Sequence, residues 1–135
     1  MANDPLRVVI DTNILVSALV FGKEPAEVLK LSSAGRIKAV TSSVLLLELS
    51  EVLSKKFRFS DQRIQTIEAK LRKVSTVVTP SQKVTLLGSA DDRVLEAAVA
   101  GKCHHIVTGD RELLELGSFD DVAIINLNQL IAIFS

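Results

Sequence analysis

A short apolar run that ends in a carboxylate constrains the fold of this chain most. Val8, Val9 and Ile10 are three consecutive β-branched residues, which predicts a short, fully buried strand. Asp11 follows directly, and the apolar run at residues 14–20 predicts a buried helix. In an open α/β sheet, such a strand-to-helix junction is the edge at which ligands bind. Asp11 could equally serve only as the N-cap of that helix, so its role depends on where the other acids lie.

The rest of the chain alternates between strand and helix patterns. Further strands are predicted at residues 37–41, 76–79, 105–108 and 122–125. Helices are predicted at residues 25–34, 44–55, 61–73, 91–100, 111–116 and 126–134, with a loop at 81–90. This alternation favours a parallel sheet with helices on both faces. The length of 135 residues and the 47% of hydrophobic side chains suit one folded domain over residues 1–135.

Composition and terminal sequence exclude several classes of protein. Cys103 is the only cysteine, so an internal disulfide cannot form and a reducing compartment is expected. Residues 1–5 lack the pattern of a signal peptide. No apolar run reaches the ~20 residues that a membrane span needs. We therefore expect a cytoplasmic protein.

Charge is balanced over the whole chain but unevenly distributed. Sixteen basic and sixteen acidic residues give a formal net charge of zero, which argues mildly against a strong nucleic-acid binder. Residues 54–73 nevertheless hold seven basic and two acidic side chains. A basic lobe beside an acidic remainder fits a surface that contacts backbone phosphates. The alternative is a solvated helical face, which is the commoner meaning of a charge run.

Glu48 is the acid with the fewest ordinary explanations. It lies within the apolar run Val44 to Leu49, and no Lys or Arg stands three or four residues away on the predicted helix. A carboxylate at the margin of an apolar face is costly unless something pairs with it. Glu48 therefore indicates a functional contact.

Three other acids complete a candidate site. Asp110 follows a predicted strand, and Asp92 opens a predicted helix with Asp91 as its N-cap. Each of these acids could also serve only as a cap or as a complement to a helix dipole. Together with Asp11 and Glu48, however, they could converge over one edge of the sheet. Adjacent carboxylates repel each other, and an all-oxygen site that relieves this repulsion suits Mg²⁺ or Mn²⁺. Such a site suits phosphodiester hydrolysis.

Other catalytic arrangements are not apparent in the sequence. It contains no Ser-His-Asp order, Cys-His pair, P-loop or glycine-rich dinucleotide fingerprint. His104 and His105 are adjacent on a predicted strand and should point to opposite faces. We expect one to face solvent and the other to be partly buried, rather than either to bind a metal.

Four segments in this order resemble a PIN-domain ribonuclease over nearly the whole chain. They are residues 8–15 (VVIDTNIL), 45–49 (LLLEL), 92–98 (DRVLEAA) and 106–114 (IVTGDRELL). The chain looks most like the stand-alone PIN proteins that are classed as toxins of toxin–antitoxin pairs. The resemblance implies a three-layer α/β/α fold with a five-stranded parallel sheet of order 3-2-1-4-5.

The resemblance also implies metal-dependent endoribonuclease activity and a set of site residues. Carried over by position, Asp11, Glu48, Asp92 and Asp110 would bind Mg²⁺ or Mn²⁺. Asn13 and Thr108 would be supporting polar residues. Close relatives often have a proline and further acids before the third motif, so the choice between Asp91 and Asp92 stays open here. Leu95 and Ala97, three and five residues further on, favour Asp92.

The sequence also suggests partners and competing functions. Candidate RNA contacts are Lys55, Lys56, Arg58 and Arg72. A homodimer and a cognate antitoxin protein are expected partners. The main alternative is a non-catalytic RNA- or protein-binding module on the same fold, since fold does not fix function. A phosphatase-like or receiver-like α/β domain is a third possibility, but Asn13 stands where an Asp-x-Asp phosphatase needs its second acid.

Overall fold

The computed structural model describes residues 4–135 as an open, twisted sheet covered by helices on both faces. Residues 1–3, part of the segment expected to lack a signal peptide, lie outside the described residues. The strands are β1 (Leu6–Ile10), β2 (Ile37–Ser42), β3 (Thr76–Val78), β4 (His105–Val107), β5 (Ser118–Phe119) and β6 (Val122–Ile125). The helices are α1 (Thr12–Val20), α2 (Glu27–Ser33), α3 (Ser43–Lys55), α4 (Asp61–Val74), α5 (Ser89–Ala100), α6 (Arg111–Leu116) and α7 (Leu127–Ile133).

The predicted order of the five parallel strands is confirmed. The sheet runs β3-β2-β1-β4-β6-β5, and every pair except β5–β6 is parallel. From β1 the chain adds β2 and then β3 on one side of the sheet. It then crosses back, and β4 pairs with the other side of β1. The order of the strands therefore reverses between β1 and β4, and a crevice opens there at their carboxyl ends.

The two-residue strand β5 was not predicted. It forms an antiparallel hairpin with β6 through Asp120 and Asp121, whose φ values are 47° and 65°. A two-residue hairpin turn of this kind is usually marked by glycine next to Asn or Asp. The Asp-Asp pair is a weaker indication of a hairpin turn, so the sequence predicted five strands and missed β5 at the edge of the sheet.

Alternation along β1 divides the core into two layers. Val8 and Ile10 pack against α1, α2 and α7 on one face, whereas Val9 faces α5 and α6 on the other. A third, smaller cluster joins α1, α3 and α4. The predicted three-layer α/β/α arrangement is thus confirmed.

The amino end of β1 is tied to the carboxyl end of α5. The Arg7 guanidinium donates hydrogen bonds of 3.0 and 2.6 Å to the carbonyl oxygen of Lys102, and a cation there also complements the helix dipole. A Cβ on Gly101 would come within 2.6 Å of the Val40 side chain. Glycine at this position therefore allows α5 to end close against β2.

The starts of two helices bear on the site. Ser42 caps α3 by accepting a hydrogen bond from the Leu45 amide at 3.3 Å. Helix α5 begins at Ser89 with Gly88 as its N-cap, so the prediction that Asp91 is the N-cap was wrong. Both Asp91 and Asp92 lie inside the helix.

Among residues 4–135, no helix is both long and apolar enough to cross a bilayer.

Candidate active site

The crevice between β1 and β4 carries the acids that follow these strands. Asp11 comes directly after β1, and its amide donates to the Val107 carbonyl at the end of β4. Asp110 lies three residues beyond β4 and is the N-cap of α6, where its side chain accepts from the Leu113 amide at 3.1 Å. The cap explains the position of the Asp110 carboxylate without excluding a further role for it.

Thr108 connects these two acids. The Thr108 hydroxyl donates a hydrogen bond of 2.6 Å to Asp11 Oδ2. The hydroxyl oxygen, Thr108 Oγ1, also accepts a hydrogen bond of 2.9 Å from the Asp110 amide. Thr108 is fully buried and Asp11 is only 7% exposed. Since a buried hydroxyl with both bonds satisfied has one orientation, Thr108 fixes the Asp11 carboxylate relative to the loop that carries Asp110.

Burial disfavours the ionised form of Asp11. Desolvation raises its pKa above the usual 3.8, and the nearby charge of Asp110 raises it further. Hydrogen bonds from the Thr108 side chain and from the backbone at Thr12 and Asn13 oppose this shift. The side chain of Asn13 itself is exposed on α1.

Glu48 approaches the same crevice from α3. Burial raises its pKa, a hydrogen bond with the Thr12 side chain opposes the shift, and the charges of Asp11 and Glu51 raise it again. The structure therefore brings Glu48 into electrostatic contact with Asp11. Sequence reasoning overlooked Thr12, although a hydroxyl residue beside Asp11 was the available signal.

Asp91 is the fourth acid that lies in this crevice. Its pKa is raised from 3.8 to about 6, first by burial, then by the charges of Asp110, Asp11 and Glu112, and by a hydrogen bond with Asp110. The hydrogen bond means that the carboxyls of Asp91 and Asp110 approach each other closely.

Asp92, predicted as the site acid, points elsewhere. It is only 4% exposed, and its carboxylate accepts hydrogen bonds from the amides of Leu86, Leu87 and Gly88 at 2.9 to 3.2 Å. The Leu87 amide contributes most to holding its pKa below the usual value. The structure thus places Asp91, and not Asp92, beside Asp11 and Asp110.

The chemistry of these donors fits a divalent cation, although no ligand cage is formed. Within residues 4–135, no group of three or more His, Cys, Asp or Glu side chains is arranged to hold a metal ion. The acids of the crevice offer carboxylate oxygens, the ligands that Mg²⁺ and Mn²⁺ prefer. No Lys or Arg is among the described groups that shift the pKa values of Asp11, Glu48 and Asp91. A cation would balance charges that this part of the protein leaves unbalanced.

The candidate RNA-contacting residues are not among the groups that shift the pKa values of Asp11, Glu48 and Asp91. Lys55 and Lys56 are exposed at the end of α3, and Arg58 is exposed in the following turn. Arg72 is on α4 and pairs with Glu68 at 3.3 Å. The first three cations are close in sequence, whereas Arg72 has a partner that accounts for it.

The two histidines differ in exposure as the sequence predicts. His104 is exposed and accepts a hydrogen bond from the Arg7 amide at its Nδ1. His105 is half-buried in β4.

Comparison with known proteins identifies the family to which this chain is similar. A family model for the PIN domain matches residues 7–112. An uncharacterized protein of Methanocaldococcus jannaschii is 32% identical over 117 residues, which cover 82% of this chain and 75% of that protein.

Solved structures share the fold at lower identity. VapBC2 from Rickettsia felis, bound to a DNA fragment from its promoter, has a TM-score of 0.63 and 18% identity, covering 90% of this chain and 98% of the matched chain. PAE2754 from Pyrobaculum aerophilum has a TM-score of 0.58 and 17% identity, with coverages of 94% and 88%. The PIN domain endonuclease Utp24 has a TM-score of 0.56 and 20% identity, with coverages of 91% and 86%.

An open parallel sheet with a cluster of acids at its switch point defines an α/β protein with a candidate hydrolytic centre. The chain belongs to the PIN domain family, a family of nucleases.

Proposed function

We propose that this protein is a metal-dependent endoribonuclease that hydrolyses RNA phosphodiester bonds. The observation that carries the proposal is the hydrogen bond between Asp91 and Asp110 beside Asp11. Burial first, and then the charges of these two neighbours, raise the pKa of Asp91 to about 6. Carboxylates held together without a compensating cation are typical of a site that takes up a divalent ion. Family membership supports nuclease chemistry. RNA as substrate and the need for Mg²⁺ or Mn²⁺ are part of the proposal.

The residues of the crevice have distinct roles in this proposal. Asp11, Asp91 and Asp110 would hold the ion, with Glu48 acting directly or through water. When bound, such an ion polarises the scissile phosphate and lowers the pKa of the attacking water. Thr108 orients the Asp11 carboxylate, and Thr12 orients that of Glu48. Asp91 takes the role that the sequence assigned to Asp92, whose oxygens are already bonded to backbone amides.

Lys55, Lys56 and Arg58 are the proposed contacts to the RNA backbone. They are exposed, and within the described residues none of them forms an ion pair with a carboxylate. Unpaired cations of this kind bind phosphates without reading sequence. Asn13, which is exposed on α1 beside the acids, is a further polar support.

We further propose that the protein is the toxin of a toxin–antitoxin pair. The VapBC2 structure of Rickettsia felis supports this through shared fold, and the antitoxin of this chain would be a separate protein. RNA in the cytoplasm would be the substrate of this single domain.

A homodimer is part of the same proposal. Val44 and Leu47 lie three residues apart on α3 and are 53% and 60% exposed, which leaves exposed apolar surface on the helix that carries Glu48. Replacing Leu47 by Glu should shift the protein toward a monomer, as measured by light scattering during size exclusion.

A non-catalytic RNA- or protein-binding module is the second candidate. It is favoured by the absence of a preformed metal-binding group within residues 4–135. Such a module would bind RNA or its partner and leave RNA uncut under every metal condition.

Cleavage of end-labelled single-stranded RNA tests the proposal. The purified protein is assayed with Mg²⁺, with Mn²⁺ and with EDTA, beside Asp11→Asn purified identically to control for contaminating ribonuclease. Cleavage that needs metal and is lost in the variant supports the proposal. Equal activity or equal inactivity of the two proteins contradicts it and moves the binding module to first place.

A further inference from the structure

Two buried carboxylates on α5 hold a segment that has no regular secondary structure. Asp92 accepts the amides of Leu86, Leu87 and Gly88, and Glu96 accepts the Val84 amide at 2.9 Å. Asp92 is 4% exposed and Glu96 is 8% exposed. Buried carboxylates that accept several amide hydrogens form strong, charge-assisted bonds. The backbone of residues 84–88 is therefore hydrogen-bonded to α5 at both ends of the segment.

Arg93 reinforces this attachment. Its guanidinium contacts Glu96 at 2.8 Å and donates to the Val84 carbonyl at 3.3 Å. The Val84 side chain is itself buried in the core layer that contains α5. The segment is thus held by both its backbone and its side chains, in a place where a loop would otherwise be mobile.

Helix geometry links this attachment to the acids of the crevice. Successive residues are turned by about 100° around an α-helix, and residues four apart share a face. Asp92 and Glu96 therefore face the segment at 84–88 together. Asp91 is turned away from them, toward Asp110 and Asp11. Holding the Asp92 carboxylate in place fixes the rotation of the first turn of α5, and with it the direction of Asp91.

We propose that Asp92 and Glu96 are positioning residues that set Asp91 against Asp110 by fastening residues 84–88 to α5. The inference rests on the proposed function in one respect, because that function gives Asp91 its role as a metal ligand. It assigns to Asp92 a task different from ligation, and it brings in Glu96, which lies a full turn further along α5.

The test measures the Mn²⁺ dissociation constant by calorimetry and amide hydrogen exchange at residues 84–88 in four variants. Asp92→Asn should weaken Mn²⁺ binding about 10-fold, as loss of a residue that orients a ligand typically does, and should speed exchange at 86–88. Glu96→Gln should show the same two changes, but smaller. Asp91→Asn should weaken Mn²⁺ binding at least as much, with exchange unchanged. Glu115→Gln, an exposed acid on α6, is the matched control and should behave as wild type.

Three outcomes overturn the inference. If Asp92→Asn weakens Mn²⁺ binding while exchange at 86–88 stays slow, Asp92 is a ligand. If it speeds exchange and lowers the melting temperature but leaves Mn²⁺ affinity unchanged, its role is only structural. If Glu96→Gln leaves both quantities unchanged, the two acids do not act together.

A metal-free crystal structure of Asp92→Asn separates this inference from the proposed function. Displacement of Asp91 from Asp110 supports positioning, and an unmoved Asp91 overturns it, whether or not the protein cleaves RNA. A wild-type protein that binds Mn²⁺ but leaves RNA intact would contradict the proposed function and leave the positioning role standing. If Asp92→Asn fails to fold, Glu96→Gln is used for the same structure and exchange measurements.

Discussion

Thr108 donates its hydroxyl proton to Asp11 Oδ2 over 2.6 Å. The two residues are 97 positions apart, and the bond joins the ends of neighbouring strands at the switch point of the sheet. The same hydroxyl oxygen accepts the Asp110 amide. One buried side chain thus sets the distance between two acids of the candidate site.

Replacing Thr108 by Val should damage both stability and activity. Val has nearly the same shape, so the change removes only the hydroxyl. The buried Asp11 carboxylate then loses one of its hydrogen bonds, and the Asp110 amide loses the acceptor Thr108 Oγ1. We expect unfolding to become easier by about 1–3 kcal/mol and RNA cleavage to fall about 10-fold. Urea denaturation and cleavage rates measure the two effects. Thr108→Ser, which keeps the hydroxyl, is the control, and equal loss in both variants would show that the hydroxyl is not responsible.

Asp11→Asn should abolish cleavage without weakening the fold. The pKa of Asp11 is raised in the folded state, so its ionised form destabilises the folded protein above that pKa. A neutral amide removes this penalty, and its oxygen can still accept the Thr108 proton. We therefore expect the free energy of unfolding in EDTA to stay the same or to rise. A clear fall in stability would show that the carboxylate is needed for folding.

The fold was predictable from sequence because its strands carry strong local signals. The β-branched run at 8–10 and the alternation of strand and helix patterns predicted a parallel sheet. Its strand order was implied by the resemblance to PIN domains. Strand β5 was not predicted because it has only two residues and the turn that follows it contains no glycine.

The site was predictable only in part, because adjacent acids look alike in a sequence. Asp11, Glu48 and Asp110 were chosen by their places relative to strands and apolar faces, and the structure brings these three into one crevice. Asp91 and Asp92 differ by their rotation about α5, which depends on where the helix begins. Gly88 ends the preceding loop and caps the helix, and the amides that bind Asp92 come from a segment with no pattern of its own.

Acid should destabilise the protein through His105. Burial, followed by the charge of His104, lowers the pKa of His105 below 6.5, and its buried Nδ1 has no hydrogen-bond partner among the described residues. The unfolded chain therefore takes up this proton at a higher pH than the folded protein. The contribution of neutral His105 is fully present above about pH 6.5 and is lost as the pH falls through the folded pKa.

Urea denaturation between pH 8 and pH 5 (about the range in which histidine titrates) measures this effect. His105→Gln cannot titrate, so its free energy of unfolding should fall less with decreasing pH than that of wild type. All other ionisable residues are the same in the two proteins, so their contributions cancel in the difference. Parallel curves for the two proteins would show that His105 is not responsible.

Removing the exposed cations at the end of α3 should weaken RNA binding and leave the chemical step unchanged. The combined change Lys55→Ala, Lys56→Ala and Arg58→Ala removes three proposed phosphate contacts. We expect KM to rise about 10-fold with kcat unchanged, and the dependence of KM on salt to become shallower. Arg72→Ala is the control, because its ion pair with Glu68 already accounts for that side chain. An equal effect of the two changes would place the RNA elsewhere.

Anomalous diffraction from crystals grown with Mn²⁺ tests the central claim most directly. Data collected at the manganese absorption edge show where the ion lies without any assumption about activity. The account predicts a peak in the crevice between β1 and β4, within about 2.2 Å of carboxylate oxygens of Asp11, Asp91 and Asp110. A peak bound to Asp92, or no peak in this crevice at saturating Mn²⁺, would contradict it.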